Sequence, residues 1–320
     1  MKKLALGIDI GGTNTKFGFV DEEGNEYAEN SFPTNDDRSF DDFLIQLDEE
    51  IKKAEKEINF LFELIGIGIG APNGNYLRGT IEYPTNLKWK GVTPFVEKFK
   101  NYYDVPIYMT NDANAAAMGE MIFGGAKGMK DFIVFTLGTG LGSGIVSNGQ
   151  IIYGHDGFAG ELGHTLVNVF GRECGCGRRG CLETYVSATG IKRTVYKLLA
   201  DYLDESELRN VPFDELSAEM ITNAAIRKDT IAIRAFEYTG RILGMKLADT
   251  IVHFSPEAVF LTGGLVNAGD YLLKPTRQYL YENMMPIYKK NPPKLLTSEL
   301  LHKNVAVLGA SSMVWNEASR

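Results

Sequence analysis

The chain has 320 residues, 44% hydrophobic and 23% charged, the balance of a folded globular protein and a length suited to two lobes rather than one core. A net charge of −8 argues against a nucleic-acid binder held by phosphate neutralisation, but it leaves room for a local backbone site that cradles the phosphates of a nucleotide. No apolar run approaches a membrane span, and the apolar part of MKKLALGIDIGG is cut short by Asp9, too early for a signal peptide, so a cytoplasmic protein is expected.

Residues 4–25, LALGIDIGGTNTKFGFVDEEGN, hold an apolar run, a Gly/Thr turn, a second apolar run and a polar turn, the pattern of a β-hairpin. Residues 41–64 place Leu44, Leu47, Ile51, Ala54, Ile58 and Leu61 three or four apart, which predicts one helix packed on a sheet; the stripe is short for a coiled coil. ELIGIGIGAPNG (63–74) reads as a buried strand and a turn. DVPIYMTNDANAAAMGEMIFG (104–124) reads as a strand, a polar step and an alanine-rich helix that begins at Asp112. FIVFTLGTGLGSGIVSNG (132–149) repeats the first hairpin. Residues 188–250 are mostly helical by pattern, and residues 250–269 end a helix, pass through a strand and turn on Gly263 and Gly264. VAVLGASSMVWNEA (305–318) reads as a strand or loop leading into a helix.

Alternating strands and helices predict an α/β protein with mixed sheets, and the repeated hairpin predicts two related lobes. The expected division is a smaller lobe of residues 1–115 with 303–320 and a larger lobe of 116–302.

Gly11, Gly12, Gly138, Gly140, Gly142 and Gly144 line the two hairpin turns, where backbone N–H groups can approach an anion. Thr13, Thr15 and Thr139 add hydroxyls, and Asp9 stands where a carboxylate can hold hydrated Mg²⁺. The chain has no GxxxxGK[ST], and counting from Gly138 the last position of GxGxxG is Ser143, so neither a P-loop nor a dinucleotide fingerprint applies.

All three cysteines fall in CGCGRRGC: His164, Cys174, Cys176 and Cys181 offer one imidazole and three thiolates. That donor set suits a four-coordinate structural zinc ion, and an odd number of clustered cysteines fits a metal better than a disulfide framework. Redox-active cysteines are the lesser alternative. Asn111, Asp112, Glu161 and Glu183 sit beside turns or the cysteine cluster, and such a group matches the many hydroxyls of a sugar.

In order, DIGGTNTK, TNLKW, NDANAA, TLGTGLGSG, GELGH, CGCGRRGCLE and LTGGL closely resemble the ROK family (repressors, open reading frames and kinases) over nearly the whole chain. The chain starts at the first hairpin, which resembles the kinase branch, and ETYVSATG after the cysteine loop is most similar to its bacterial glucokinases. The resemblance implies a two-lobed actin-like sugar-kinase fold with an interlobe cleft. It implies Asp112 as catalytic base and Asn86, Asn111, Asp112, Glu161, His164 and Glu183 on the sugar. Asp9, Gly11, Gly12, Thr13, Lys16, Gly138, Thr139, Gly140, Gly263 and Gly264 would face nucleotide and magnesium, and His164, Cys174, Cys176 and Cys181 would bind zinc.

The reaction so implied is ATP-dependent phosphorylation of the 6-hydroxyl of glucose by a homodimer. Mannose, fructose, N-acetylglucosamine or N-acetylmannosamine remain open as acceptors, with residues 73–76 and 85–89 as the discriminating loops. A non-catalytic sugar sensor is the alternative of another class.

Overall fold

The computed structural model describes residues 1–34, 38–84, 87–300 and 304–318. The first half of the chain runs β1 (Lys2–Ile10), β2 (Asn14–Val20), β3 (Glu26–Pro33), α1 (Phe40–Glu55), β4 (Phe62–Gly70), β5 (Gly74–Asn75), β6 (Thr80–Glu82), β7 (Val92–Thr93), α2 (Phe95–Phe99), β8 (Ile107–Thr110) and α3 (Asp112–Ile122). The second runs β9 (Phe132–Leu137), β10 (Leu141–Ser147), β11 (Gln150–Ile151), α4 (Ala188–Asp201), α5 (Ala218–Ile226), α6 (Thr230–Phe254), β12 (Ala258–Thr262), α7 (Asp270–Asn283), α8 (Pro286–Lys289), β13 (Lys294–Thr297) and α9 (Val305–Ala318).

The duplication read from the two hairpins extends to whole sheets. One five-stranded sheet has the order β3-β2-β1-β4-β8 and the other β11-β10-β9-β12-β13. In each, the first strand pairs antiparallel with the second and parallel with the fourth. The short strands β5, β6 and β7 form a third, small sheet.

Strand alternation decides which face each residue serves. In β1, Leu4, Leu6, Ile8 and Ile10 join Phe43, Leu47, Phe95 and Phe99 in one core, against α1 and α2. Ala5, Gly7 and Asp9 therefore point to the opposite face, where Ala5 meets Val314 and Trp315 of α9. In β9, Ile133, Phe135 and Leu137 pack with Phe236, Leu243 and Leu247 of α6, while Phe132 and Val134 pack with Ala116 and Ala117 of α3. The two sheets thus turn their inner faces toward a central pair of helices, α3 and α9, and bury their outer faces under the remaining helices.

Small residues make that central layer possible. A Cβ at Gly68 of β4 would stand 1.8 Å from the Ala310 carbonyl oxygen, and one at Gly144 of β10 would stand 2.6 Å from the Ala113 carbonyl oxygen. Helix α3 is buried from Ala113 to Glu120, the expected environment for a helix with no polar stripe.

Two expectations need correction. Helix α1 ends at Glu55; Leu61 is 85% exposed and Phe62 already begins β4. The stripe held as far as Ala54, but the strand that follows needs residues 56–61 to reverse the chain. Residues 305–318 form helix throughout, since the central layer is built from helices. Among the described residues no helix is long and apolar enough to cross a membrane.

Candidate active site and metal centre

Helix α3 begins where β8 ends, and its start sets the first catalytic candidate. Asn111 is the N-cap: its Oδ1 accepts from the Asn114 amide at 2.7 Å, leaving its Nδ2 as the group it can offer a ligand. Asp112 follows as the first helical residue, with Oδ1 accepting from the Ala113 amide at 2.9 Å. Its surface is open to solvent. Protein nevertheless crowds the carboxyl from most sides, and the lost hydration pushes its pKa up, against the pull of the backbone amides.

Asp9 closes β1 on the inner face, as its alternation with Ala5 and Gly7 dictates. The Gly70 Cα leaves space beside it, with Asp9 Oδ1 3.7 Å from where a Cβ would stand. Burial, and then the charge of Asp112, push Asp9 up to about 7, while Lys16, its register partner on β2, pulls it back. Asp9 and Asp112 therefore share one electrostatic environment at the ends of β1 and β8.

The second group comes from the loop after β11. Leu162–His164 forms one turn of 3₁₀ helix that places Glu161 and His164 together, with His164 Nε2 4.0 Å from Glu161 Oε2. Burial raises the Glu161 pKa; His164 lowers it, and the charges of Asp112 and Glu183 raise it. The charges of Asp112 and Glu183 therefore both reach Glu161, although residues 112 and 183 lie on different elements. Glu183 sits in the 3₁₀ turn Leu182–Thr184; its Oε2 accepts from the Leu141 amide at 3.0 Å and its Oε1 stands 3.6 Å from Cys174 Sγ.

His164, Cys174, Cys176 and Cys181 bring one donor atom each to within 4.8 Å of one another. His164 Nδ1 lies 3.6 Å from Cys174 Sγ, and Cys176 Sγ lies 3.6 Å from Cys181 Sγ. A tetrahedral zinc ion with Zn–S near 2.3 Å separates its sulfur ligands by roughly 3.8 Å, so the donor set and its spacing fit zinc. The two ring nitrogens divide the work: Nδ1 faces the sulfurs and Nε2 faces Glu161.

The glycine turns line the remaining wall. Gly11 N donates to Asn14 O at 3.0 Å, and Gly138 N to Gly140 O at 3.1 Å, closing the two hairpin turns. Thr13 and Thr139 are exposed there, as is Lys16. Gly12 lies in the first turn, between β1 and β2. A Cβ at Gly138 or Gly264 would meet nothing within 4 Å, so open space lies above both. Gly263 has φ +96°, a backbone state that glycine reaches freely, and its neighbour opens the 3₁₀ turn Gly264–Ala268. Gly140 abuts Glu183 instead: a Cβ there would stand 2.5 Å from Glu183 Oε2. Asn86 lies outside the described residues.

Sequence reading passed over Arg172 and the loop before Glu161, and it named Asn75 only as part of the loop 73–76. Arg172 Nη1 donates to the carbonyls of Thr184 at 2.8 Å and Gly190 at 2.9 Å, Nη2 donates to Thr194 Oγ1 at 2.9 Å, and the guanidinium lies 4.6 Å from the Tyr185 ring. It ties the start of the cysteine loop to the turn bearing Glu183. Its signal in sequence was only an arginine two residues before the first cysteine. The shallow pocket lined by Lys52, Glu55, Lys56 and Phe62 holds none of these groups.

The model of the ROK family matches residues 5–317. The glucokinase of Halalkalibacterium halodurans is 35% identical over 290 residues, covering 88% of this chain and 86% of that protein. The crystal structure of a ROK family glucokinase from Streptomyces griseus in complex with glucose and AMPPNP superposes with a TM-score of 0.82 at 30% identity, covering 98% of this chain and 99% of that one. The xylose repressor of Bacillus subtilis is 32% identical over 255 residues, covering 79% of this chain and 62% of the repressor.

Proposed function

The chain belongs to the ROK family, and from that premise we propose that it transfers the γ-phosphoryl group of ATP to the 6-hydroxyl of glucose. The observation that carries this reading is the grouping of Asp112, whose proton affinity is raised, with Glu161, Glu183 and His164 beside two glycine hairpins. A carboxylate whose proton affinity is raised accepts the hydroxyl proton more readily as the oxygen attacks phosphorus, and such a base contributes about 10²–10⁴ in rate. Asn111 Nδ2, the two glutamates and His164 Nε2 supply donors and acceptors for the other hydroxyls.

His164, Cys174, Cys176 and Cys181 would hold zinc, which would supply rigidity to the loop and not Lewis-acid chemistry. With Nδ1 given to the metal, the imidazole would carry its proton on Nε2, where it could be donated to a sugar hydroxyl. Glu183 shares the cysteine loop, so whatever fixes the loop fixes its carboxylate. Asp9 would hold Mg²⁺, and that ion would supply neutralisation of phosphate charge. The backbone amides of Gly11, Gly12, Gly138, Thr139 and Gly264, with the Lys16 ammonium, present the remaining positive partial charge to the phosphates.

A coupled ADP-release assay over a panel of sugars tests the proposal. Turnover with glucose above mannose, fructose and the N-acetylhexosamines is expected. Sugar binding without ADP release would point instead to a non-catalytic sensor, the reading that similarity to the xylose repressor favours.

A further inference from the structure

We propose that Asn75 is a positioning residue: by clamping the backbone of Asp156 it fixes loop 154–160, and through that loop the carboxylate of Glu161. The inference rests on the sugar-kinase reading of the Glu161 site. Asn75 lies in β5 and is 0% exposed, so each of its polar atoms needs a partner. All have one. Nδ2 donates to the Asp156 carbonyl at 2.7 Å, and Oδ1 accepts from the amides of Leu77 at 3.0 Å and Arg78 at 3.2 Å. Those two amides fix the orientation of the side chain, because the opposite one would set NH₂ against two N–H donors.

The contact is built from both sides. Arg78 Nη2 donates to the same Asp156 carbonyl at 3.0 Å while its Nε pairs with Glu82 Oε1 at 2.7 Å. Tyr76 stacks on Tyr153, ring centroids 4.2 Å apart and planes 4° apart. Gly157 has φ +87°, and a Cβ there would stand 2.6 Å from Asn75 Oδ1, so the loop presses bare backbone onto the amide. The small sheet that holds Asn75 packs beside β8, whereas loop 154–160 leaves the second sheet after β11. The clamp therefore joins the two halves of the molecule at a point one step from the sugar site.

Downstream, Ser143 holds the far end of the loop: Oγ donates to the Gly160 carbonyl and accepts from the Leu162 amide at 3.2 Å. Glu161 stands between these holds, and its carboxylate meets His164 only at 4.0 Å. The path of the backbone, more than any direct bond, sets where that carboxylate points. Asn75 is assigned no contact with the reacting groups, so losing the clamp should weaken sugar binding and spare both nucleotide binding and the chemical step.

The test uses the full, zinc-loaded chain with Asn75→Asp and Arg78→Lys. Asn75→Asp keeps the Oδ1 acceptor and turns the donor into a carboxylate oxygen facing the Asp156 carbonyl. Arg78→Lys keeps the charge beside Glu82 and drops the bond to Asp156. In the ligand-free protein, amide exchange across residues 154–160 should accelerate in both, more in Asn75→Asp. The KM for glucose should rise about tenfold in Asn75→Asp, equal to about 1.4 kcal/mol, with the KM for ATP within about twofold and kcat within about threefold. Unchanged exchange overturns the proposal, as does an equal rise in both KM values, or fast exchange with an unaltered glucose KM. Should Asn75→Asp fail to fold, Arg78→Lys decides by the same readouts. Exchange needs no substrate, so faster exchange in the variants of a wild type without sugar turnover would sink the kinase reading and leave the clamp supported.

Discussion

Replacing Asp9 by asparagine should make the nucleotide-free protein more stable and abolish its phosphoryl transfer. Burial and the neighbouring charge of Asp112 move Asp9 from the ordinary 3.8 to about 7, so the folded protein binds this proton more tightly than the unfolded chain does. Stability is therefore lost as pH rises past about 4, at about 1.4 kcal/mol per pH unit, and the loss is complete above about 7, reaching an upper bound of about 4 kcal/mol. Asp112 is displaced in the same direction and adds to the fall. Asp9→Asn removes only the first contribution. Urea titration of the zinc-loaded, nucleotide-free proteins should find the variant ahead by about 1–2 kcal/mol at pH 5 and by up to about 4 kcal/mol at pH 8. Mg²⁺ with a nonhydrolysable nucleotide should close much of that gap by stabilising the wild type alone. Parallel pH profiles for the two proteins would refute the reasoning, because no displaced proton would then reside on Asp9.

Two further perturbations probe the cysteine loop. Chelating zinc should abolish glucose binding at chelator levels that leave nucleotide binding intact, read by calorimetry with each ligand separately; loss of both together, or of neither, contradicts the assigned role of the loop. Arg172→Ala leaves the carbonyls of Thr184 and Gly190 and the Thr194 hydroxyl without their charged donor, which should cost about 2–4 kcal/mol in urea unfolding and raise the glucose KM more than the ATP KM.

Much of this architecture could be read from sequence because its signals are local. A Gly/Thr turn between apolar runs fixed both hairpins, and the Asn-Asp step before an alanine run located the start of α3. Strand alternation even determines that Asp9 shares a face with Ala5 and Gly7. Crowding of the cysteines within CGCGRRGC announced the donor cluster without any knowledge of the fold. The misses have the opposite character. Ile58 and Leu61 keep helical spacing, yet the turn into β4 overrides it. Helix α9 lacks an apolar stripe because it is buried on all sides, so periodicity could not define its start. Asn75 and Asp156 lie 81 residues apart, and nothing near either one advertises the other. Contacts between elements depend on topology, which a local pattern does not carry.

The most direct measurement compares Asp112→Asn with the wild type in two assays: glucose affinity by calorimetry, and glucose-dependent ADP release. Asparagine keeps the size of the side chain and its bond to the Ala113 amide but cannot take up the hydroxyl proton. Glucose affinity within a few-fold of wild type, with turnover reduced at least about 10²–10⁴-fold, is the predicted result. Near-normal turnover in Asp112→Asn would remove the base from the reaction and contradict the account.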